Sequence, residues 1–234
     1  MGSQLNILQN LREVPAYTIS EAGAYLRLPV ATLRSWVVGR PYETSKGPRR
    51  FAPLIVPADA KTVRLSFVNL VEAHVLSAVR REHRIELENI REAIKYVRTK
   101  FHSNRPLIDH DFATDGIDLF VDHLGHLINA SRGGQLGMRE VLKEYLKRIQ
   151  RDASGIPIKL FPYTRKSESL NQPKKIQIDP TISFGRPVIS GTGIKTEILF
   201  ERFLAGESTK NLARDYERPE EEIQEAIRYE QLAA

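Results

Sequence analysis

The sequence predicts an α+β fold that is mainly α and built in three modules, and three observations carry that prediction. Near the start, a capped helix, a tight proline turn and a second short helix are compressed into residues 18–38. Between 102 and 170 the hydrophobic period changes from helical to alternating. From 171 onward a glycine-rich loop precedes three short amphipathic helices. The expected boundaries are therefore 1–101 for a paired-helix head with a small β wing, 102–170 for a small sheet covered by one helix plus a linker, and 171–234 for a trihelical tail.

In the head, Thr18 followed three residues later by Glu21 is a capping box, in which the hydroxyl accepts the Glu21 amide and the carboxylate accepts the cap amide. The first helix should begin at Ile19. It should stop near Arg27, because Pro29 disfavours helical geometry at Leu28 and itself suits the start of a new helix. The second helix, expected over 30–38, turns Leu33 with Trp36 or Val37 inward and leaves Thr32, Arg34 and Ser35 pointing elsewhere, with Arg40 following. This is the length arithmetic of a helix-turn-helix. Helical hairpins with a proline turn also occur in proteins that never touch nucleic acid, so charge placement decides between the two readings.

The formal net charge is +6, from 35 Lys+Arg against 29 Asp+Glu, and the excess is localised. Residues 1–101 carry +7, residues 102–170 carry +1 and residues 171–234 carry −2. Within 27–64 the only acids are Glu43 and Asp59, set against Arg27, Arg34, Arg40, Lys46, Arg49, Arg50, Lys61 and Arg64. A local field of this sign suits phosphate. Gly47-Pro48-Arg49-Arg50-Phe51 reads as the basic turn of a wing, followed by apolar Leu54, Ile55 and Val56 and then by Val63 and Leu65. Thr32, Arg34 and Ser35 are thus the candidates for base edges, and Arg40, Lys46, Arg49 and Arg50 for phosphates. Two amphipathic helices should follow at about 67–81 and 87–101.

Taken together, TISEAGAYL, TLRSW, the basic wing, LSFVNLVEAHVL and ELENIREAIKYV resemble the DNA-binding head of MerR-type regulators over about 90 residues. Two positions depart from that pattern: Arg27 stands where the family usually has a turn glycine, and Pro29 where it often has a hydroxyl cap. The long dimerising coiled coil and the sensor cysteines of metal-responsive members are missing from the sequence.

Cysteine is absent altogether, which removes disulfides, thiolate metal sites and cysteine nucleophiles and suits a reducing cytoplasm. The longest apolar runs are too short to span a bilayer, and the start lacks the apolar core of a signal peptide, so a cytoplasmic location is expected. His102, Asp109, His110, Asp111, Asp115, Asp118, Asp122, His123 and His126 gather in the middle, but no helix is expected to give them a common ligand face, and turn chemistry explains the aspartates. Gly133-Gly134-Gln135-Leu136-Gly137 lacks the Lys-Ser/Thr ending of a phosphate loop. Nothing fixes two carboxylates across a cleft for hydrolysis. No enzyme, metal or cofactor is expected.

The middle region itself reads as a hairpin turning at Asp115-Gly116, a third strand after Gly125, a helix over about 138–151 and an edge strand through Ile156, Ile158 and Leu160. Its expected work is dimerisation or spacing. Residues 162–173, PYTRKSESLNQP, read as an exposed linker.

In the tail, short β pieces at 175–178 and 187–189 flank the glycine-rich loop. Thr196 and Ser208 should cap two helices, and Pro219 should open a third whose face is Ile223, Ala226, Ile227 and Tyr229. IDPTISFGRPVISGTGI, the Gly206-Glu207-Ser208 turn, LARDY and EAIRYE resemble a small helical domain of VapB-like antitoxins encoded beside PIN-type ribonuclease toxins, over roughly 60 residues. Gly193 departs from it, since family members commonly carry an arginine there. The resemblance implies a DNA-binding antitoxin that neutralises its toxin and represses its own operon. Glu220, Glu221 and Glu222 on the first turn of the last helix would repel DNA, which favours protein contacts for the tail over the alternative of a weak DNA contact through Lys195, Arg202 or Lys210. Because PIN-type nucleases hold magnesium with clustered carboxylates, a cationic plug would inhibit one, and Arg186 and Lys195 are the candidates. Arg186 could equally pin its own loop to a carboxylate. A dimer is expected, since paired half-sites give short recognition helices their affinity. The alternative is a stand-alone MerR-like regulator responding to a small molecule.

Overall fold

The computed structural model describes residues 11–44, 47–82, 85–109, 112–165 and 170–232. The fold is mainly helical, with three separate two-stranded antiparallel ladders. Helix α1 (Ile19–Leu26) opens on the expected capping box: the Thr18 hydroxyl accepts the Glu21 amide at 3.1 Å, and the Glu21 carboxylate accepts the Thr18 amide at 2.8 Å. It closes on Arg27 at φ 56°, a left-handed conformation that glycine adopts far more readily. Helix α2 (Val30–Val38) starts directly after Pro29 and buries Leu33, Trp36 and Val37.

Strands β1 (Pro41–Thr44) and β2 (Gly47–Arg50) then form a hairpin with Tyr42 opposite Arg49. The basic segment expected to be a turn is therefore a strand from Gly47 to Arg50, and residues 45–46 lie outside the described residues. Helix α3 (Phe67–Glu82) is buried on nearly every side, with Leu70, Val71, Val75, Leu76 and Val79 at 2% exposure or less. Asn69, Glu72 and His74 are buried on it as well, which places the helix at the centre of the core. On it pack α1 and the middle elements, against which helix α4 (Leu87–Phe101) packs in turn, in one continuous core that runs from Tyr17 to Ile178. The expected boundary at residue 101 marks no break in that core.

The middle region departs most from expectation. The hairpin at Asp115-Gly116 and the strand after Gly125 are instead helical: a π-helical turn (Phe112–Gly116) runs into α5 (Ile117–Leu127). Ile117, Phe120, Val121 and Leu124 recur at helical spacing and are all buried, so burial of one helical face overrides the short alternation through Ile117 and Val121. A Cβ on Gly125 would meet the Gln135 side chain at 2.6 Å, so glycine permits the close approach of the next helix. That helix, α6 (Arg132–Leu146), begins on a Ser131 cap rather than at residue 138, because the Ser131 hydroxyl accepts the Gly134 amide at 3.1 Å. The chain leaves it early enough for β3 (Ile149–Arg151) to pair with β4 (Pro157–Leu160), which starts at Pro157 rather than at Ile156, so the proline takes the first strand position.

Residues flanking 166–169 are not an exposed linker. The Arg148 guanidinium donates to the carbonyls of Phe161, Pro162, Gln172 and Pro173 at 2.5, 2.9, 3.0 and 3.3 Å, while Gln172 Oε1 accepts the amides of Thr164 and Arg165 at 3.1 and 3.0 Å. An internal arginine takes the place of water for these carbonyls, which is why a polar stretch lies partly buried.

In the tail, β5 (Ile176–Gln177) pairs with β6 (Val188–Ile189), and α7 (Thr196–Leu204), α8 (Thr209–Asp215) and α9 (Glu220–Gln231) enclose a second core of Ile176, Ile189, Leu199, Leu212, Ile223, Ala226, Ile227 and Tyr229. Ser208 caps α8 as expected. Thr196 does not cap α7. It is the first helical residue, and its hydroxyl bonds the Pro187 carbonyl at 3.2 Å and the Glu230 carboxylate.

One buried group gives this core a pH signature. His74 on α3 lies against Tyr145, with Nε2 3.1 Å from the Tyr145 carbonyl oxygen, and burial pushes its pKa down to about 3. The folded chain keeps the ring neutral while the unfolded chain protonates it near the usual value of about 6.5. Its contribution is thus complete above pH ~6.5 and is lost as pH falls toward about 3. Between pH 6 and 4, urea unfolding of the wild type should lose stability more steeply than that of His74→Gln, with the difference approaching about 1.4 kcal/mol per pH unit. Parallel pH profiles would contradict the assignment.

Candidate nucleic-acid interface

The interface is built on α2 and the hairpin behind it. With Leu33, Trp36 and Val37 committed to the core, the helix presents Val30, Ala31 and Arg34 to solvent, while Thr32 and Ser35 are half-buried. The Ser35 hydroxyl donates to the Thr32 carbonyl at 2.7 Å, which orients it along its own helix. Arg40, just beyond the helix, and Arg50 on β2 are exposed. Neither they nor Arg34 have an ion-pair partner among the described residues.

What holds hairpin and helix together is a close backbone approach. Gly39 has φ 80°, and a Cβ there would lie 2.1 Å from the Phe51 carbonyl oxygen. Phe51 donates its amide to Arg40 O at 2.9 Å, and the Leu54 and Ile55 amides donate to Trp36 O at 2.7 and 3.1 Å. Arg91 on α4 braces the far end, bonding Ala52 O at 2.8 Å with its guanidinium 5.0 Å from the Phe51 ring centre. Ser35, Arg40, Phe51 and Arg91 share a cleft of about 330 Å³ with Glu86 and Glu88, so the field beside the basic residues is mixed rather than purely positive.

Of the candidate residues, the structure thus gathers Thr32, Arg34, Ser35 and Arg40 on or just after one helix, and Arg50 on the adjoining hairpin. Arg49 pairs with Tyr42 in the ladder. Lys46 lies outside the described residues. Phe51 and Arg91, which fix the hairpin, were not anticipated; Arg91 on the polar side of an amphipathic helix carries no signal separating a brace from a solvated charge.

The tail packs directly against α1. Arg27 sends Nε to Tyr163 O at 2.7 Å and Nη2 to Tyr229 O at 2.9 Å, with its guanidinium 4.9 Å from the Tyr229 ring centre. The Tyr229 hydroxyl donates to Tyr25 O at 3.0 Å, and the Tyr17 hydroxyl donates to Gly185 O at 3.0 Å. Arg186 joins the same seam, 3.1 Å from the Tyr25 hydroxyl and 3.2 Å from Glu21 Oε1. Its cation is therefore already paired. Lys195, half-buried just before α7, lines a cleft of about 240 Å³ at this seam with Arg186, Glu21, Glu197 and Glu230. Burial raises the Glu230 carboxyl above its ordinary range.

The middle histidines and carboxylates go elsewhere. His123 stacks on Tyr96 with ring centres 4.2 Å apart, and Asp118 and Asp122 both pair with Arg139. Among the described residues no group of three or more such side chains could hold a metal ion, and no helix is long and apolar enough to cross a membrane.

Comparison with known proteins follows this division. Residues 15–94 match a family model described as "Putative DNA-binding HTH domain". Residues 176–229 match one described as "Protein of unknown function (DUF433)". Along nearly its whole length the chain is similar to the Mycobacterium tuberculosis protein named "Putative antitoxin VapB45", at 28% identity over 92% of this chain and 93% of the relative. A second protein of that organism, "Uncharacterized protein Rv2308", is 24% identical over 93% of this chain and 90% of its own. The crystal structure of Rv2018 from the same organism shares the fold, with a TM-score of 0.65 at 22% identity, covering 92% of this chain and 98% of that one.

Replacing Gly39 by alanine should lower unfolding free energy by more than about 2 kcal/mol, because a left-handed residue would also clash with backbone. Guanidinium unfolding measures it; a loss below about 0.5 kcal/mol would show that the hairpin is not held as described.

Proposed function

We propose that the chain is a non-enzymatic antitoxin that binds its own operator as a dimeric autorepressor through the head and neutralises a PIN-type ribonuclease toxin through the tail. The observation that carries this reading is the near full-length similarity to a protein named as an antitoxin, joined to a helix-turn-helix match over the basic head. Exposed Arg34, Arg40 and Arg50 on one helix and its adjoining hairpin support it, as does the acidic balance of the tail. In this reading the hairpin is a wing. Arg34 reads a base edge with Thr32 and Ser35 beside it, while Arg40, Lys46, Arg49 and Arg50 take phosphates.

Toxin inhibition through Arg186 and Lys195 needs a released cation. Arg186 is paired with Glu21, so Lys195 is the better plug of the two. A regulator responding to a small molecule would instead use the cleft of about 530 Å³ between Ile85, Asn89, Ile128 and Ser131, and a ligand that shifted operator affinity would favour that reading.

Two measurements test the proposal. Copurification with the product of the adjacent gene tests the antitoxin role. Titration of the promoter fragment over a range of salt tests the head: Arg49→Ala/Arg50→Ala should weaken binding to all sequences and flatten the salt slope by about two, whereas Arg34→Ala should lose about 1–3 kcal/mol on the operator and little on random DNA. An unchanged slope, or equal losses on both DNAs for Arg34→Ala, would contradict those roles.

A further inference from the structure

Glu72 lies in the middle of α3 and is only 8% exposed. A carboxylate in such a place is costly unless it is paired. Its Oε2 accepts two donors: Asn69 Nδ2 at 2.9 Å, one helical turn earlier, and Arg105 Nη1 at 3.1 Å, from the chain after α4. Asn69 is committed elsewhere as well, since its Oδ1 accepts the Ala58 and Ser66 amides at 3.0 and 3.1 Å and its Nδ2 also donates to Val56 O at 2.8 Å. Arg105 is placed by its own turn, where its amide donates to Ser103 Oγ at 2.9 Å and its carbonyl accepts the Ile108 amide at 3.2 Å. Its other terminal nitrogen, Nη2, reaches Glu13 Oε2 at 2.8 Å. One guanidinium thus stands between a buried acid on the central helix and an exposed acid on the chain leading into α1.

The two acids differ in what supports their charge. Water solvates Glu13, whereas an ionised Glu72 rests on Arg105 and the neutral Asn69 amide. The charged groups that act on Glu72 are Arg105, Glu13 and, from α4, Arg98. Burial outweighs them and pushes its carboxyl up to about 7, so the group changes charge near neutrality. Once protonated, it still bonds Asn69 as a neutral acid but no longer holds Arg105 by charge. Arg105 and Glu13 line a cleft of about 350 Å³ with Asp109 and Pro157, which leaves them room to move off α3 together. We infer that Glu72, Arg105 and Glu13 form a latch that ties the chain ahead of α1 to the central helix while Glu72 is ionised and lets it go when Glu72 takes up a proton. The neighbouring Arg12 stays paired with Asp152 at 3.2 Å, so the release is local. The chain concerned is the one whose Ala16 and Tyr17 amides both donate to Leu65 O at 2.9 Å, directly before the Thr18 cap. The latch therefore sets the footing of the first helix of the head, and it operates whether or not the chain is an antitoxin.

The test follows the full chain by NMR. In the wild type the Glu72 carboxyl carbon should titrate near neutrality. Over the same range, from about pH 8.5 to about pH 5.5, the Ala16, Tyr17 and Arg105 amides, corrected for intrinsic exchange, should lose at least about tenfold in protection, the smallest effect expected of one charge-assisted hydrogen bond. Glu72→Gln, which keeps a neutral partner for Asn69, should show the low-pH protection at every pH. Arg105→Gln, which leaves the buried position untouched, should give the same flat profile. Protection that stays constant across the range in the wild type overturns the inference, as does a Glu72 carboxyl that titrates in the ordinary carboxylate range. A pH dependence that survives in either variant belongs to another group and also overturns it.

Discussion

Arg27 sits at the turn between the two helices of the head, and its guanidinium is held by the last helix of the tail. The rest of the arrangement depends on that contact. A non-glycine residue in the left-handed region costs about 1–2 kcal/mol, and burial adds a further penalty that draws its pKa downward. Each hydrogen bond from a charged donor contributes about 1.5–3 kcal/mol. Two of them, to Tyr163 O and Tyr229 O, with the Tyr229 ring alongside, are enough to offset a strained turn. The helix-turn-helix geometry is thus completed by residues more than a hundred positions away.

This makes head and tail one mechanical body. The Tyr17 hydroxyl holds the loop after Phe184, Tyr25 receives both Tyr229 and Arg186, and Glu21, half of the α1 capping box, is also the ion-pair partner of Arg186. The loop of the tail is therefore bonded directly to α1, the helix that precedes α2. On the opposite flank, Gly39 and Arg91 fix the hairpin to α2, so the basic residues of the head are placed by two independent braces.

Much of this was legible from local rules. The Thr18–Glu21 box, the Pro29 break, the spacing of Ile90, Ile94 and Val97, and the Ser208 and Pro219 starts all act within one or two turns of chain, and each appears where the residues put it. The failures share a cause. At 112–127 a short alternation competed with a helical face, and the long-range burial of Phe120 and Leu124 decided it. The polar 162–173 segment looked solvated because its solvent substitute, Arg148, comes from a turn earlier in the chain. In the candidate site, the exposed face of α2 was readable from the positions of Leu33 and Trp36, but the seam of Tyr17, Tyr25, Arg27 and Tyr229 was not. Two tyrosines eight residues apart and an arginine in a glycine position carry no indication of what they meet.

The most direct test of a single body joined at Arg27 is amide hydrogen exchange on the wild type and on Arg27→Gly, which relieves the backbone strain while removing the side chain. The wild-type amides of α1 and α9 should open with the same free energy. The variant should retain helix α1 yet exchange the α9 amides around Ile227 and Tyr229 at least about tenfold faster, the rate equivalent of about 1.4 kcal/mol. If α9 exchange is unchanged in the variant, or if the two helices already open independently in the wild type, the tail is merely tethered and the account is wrong.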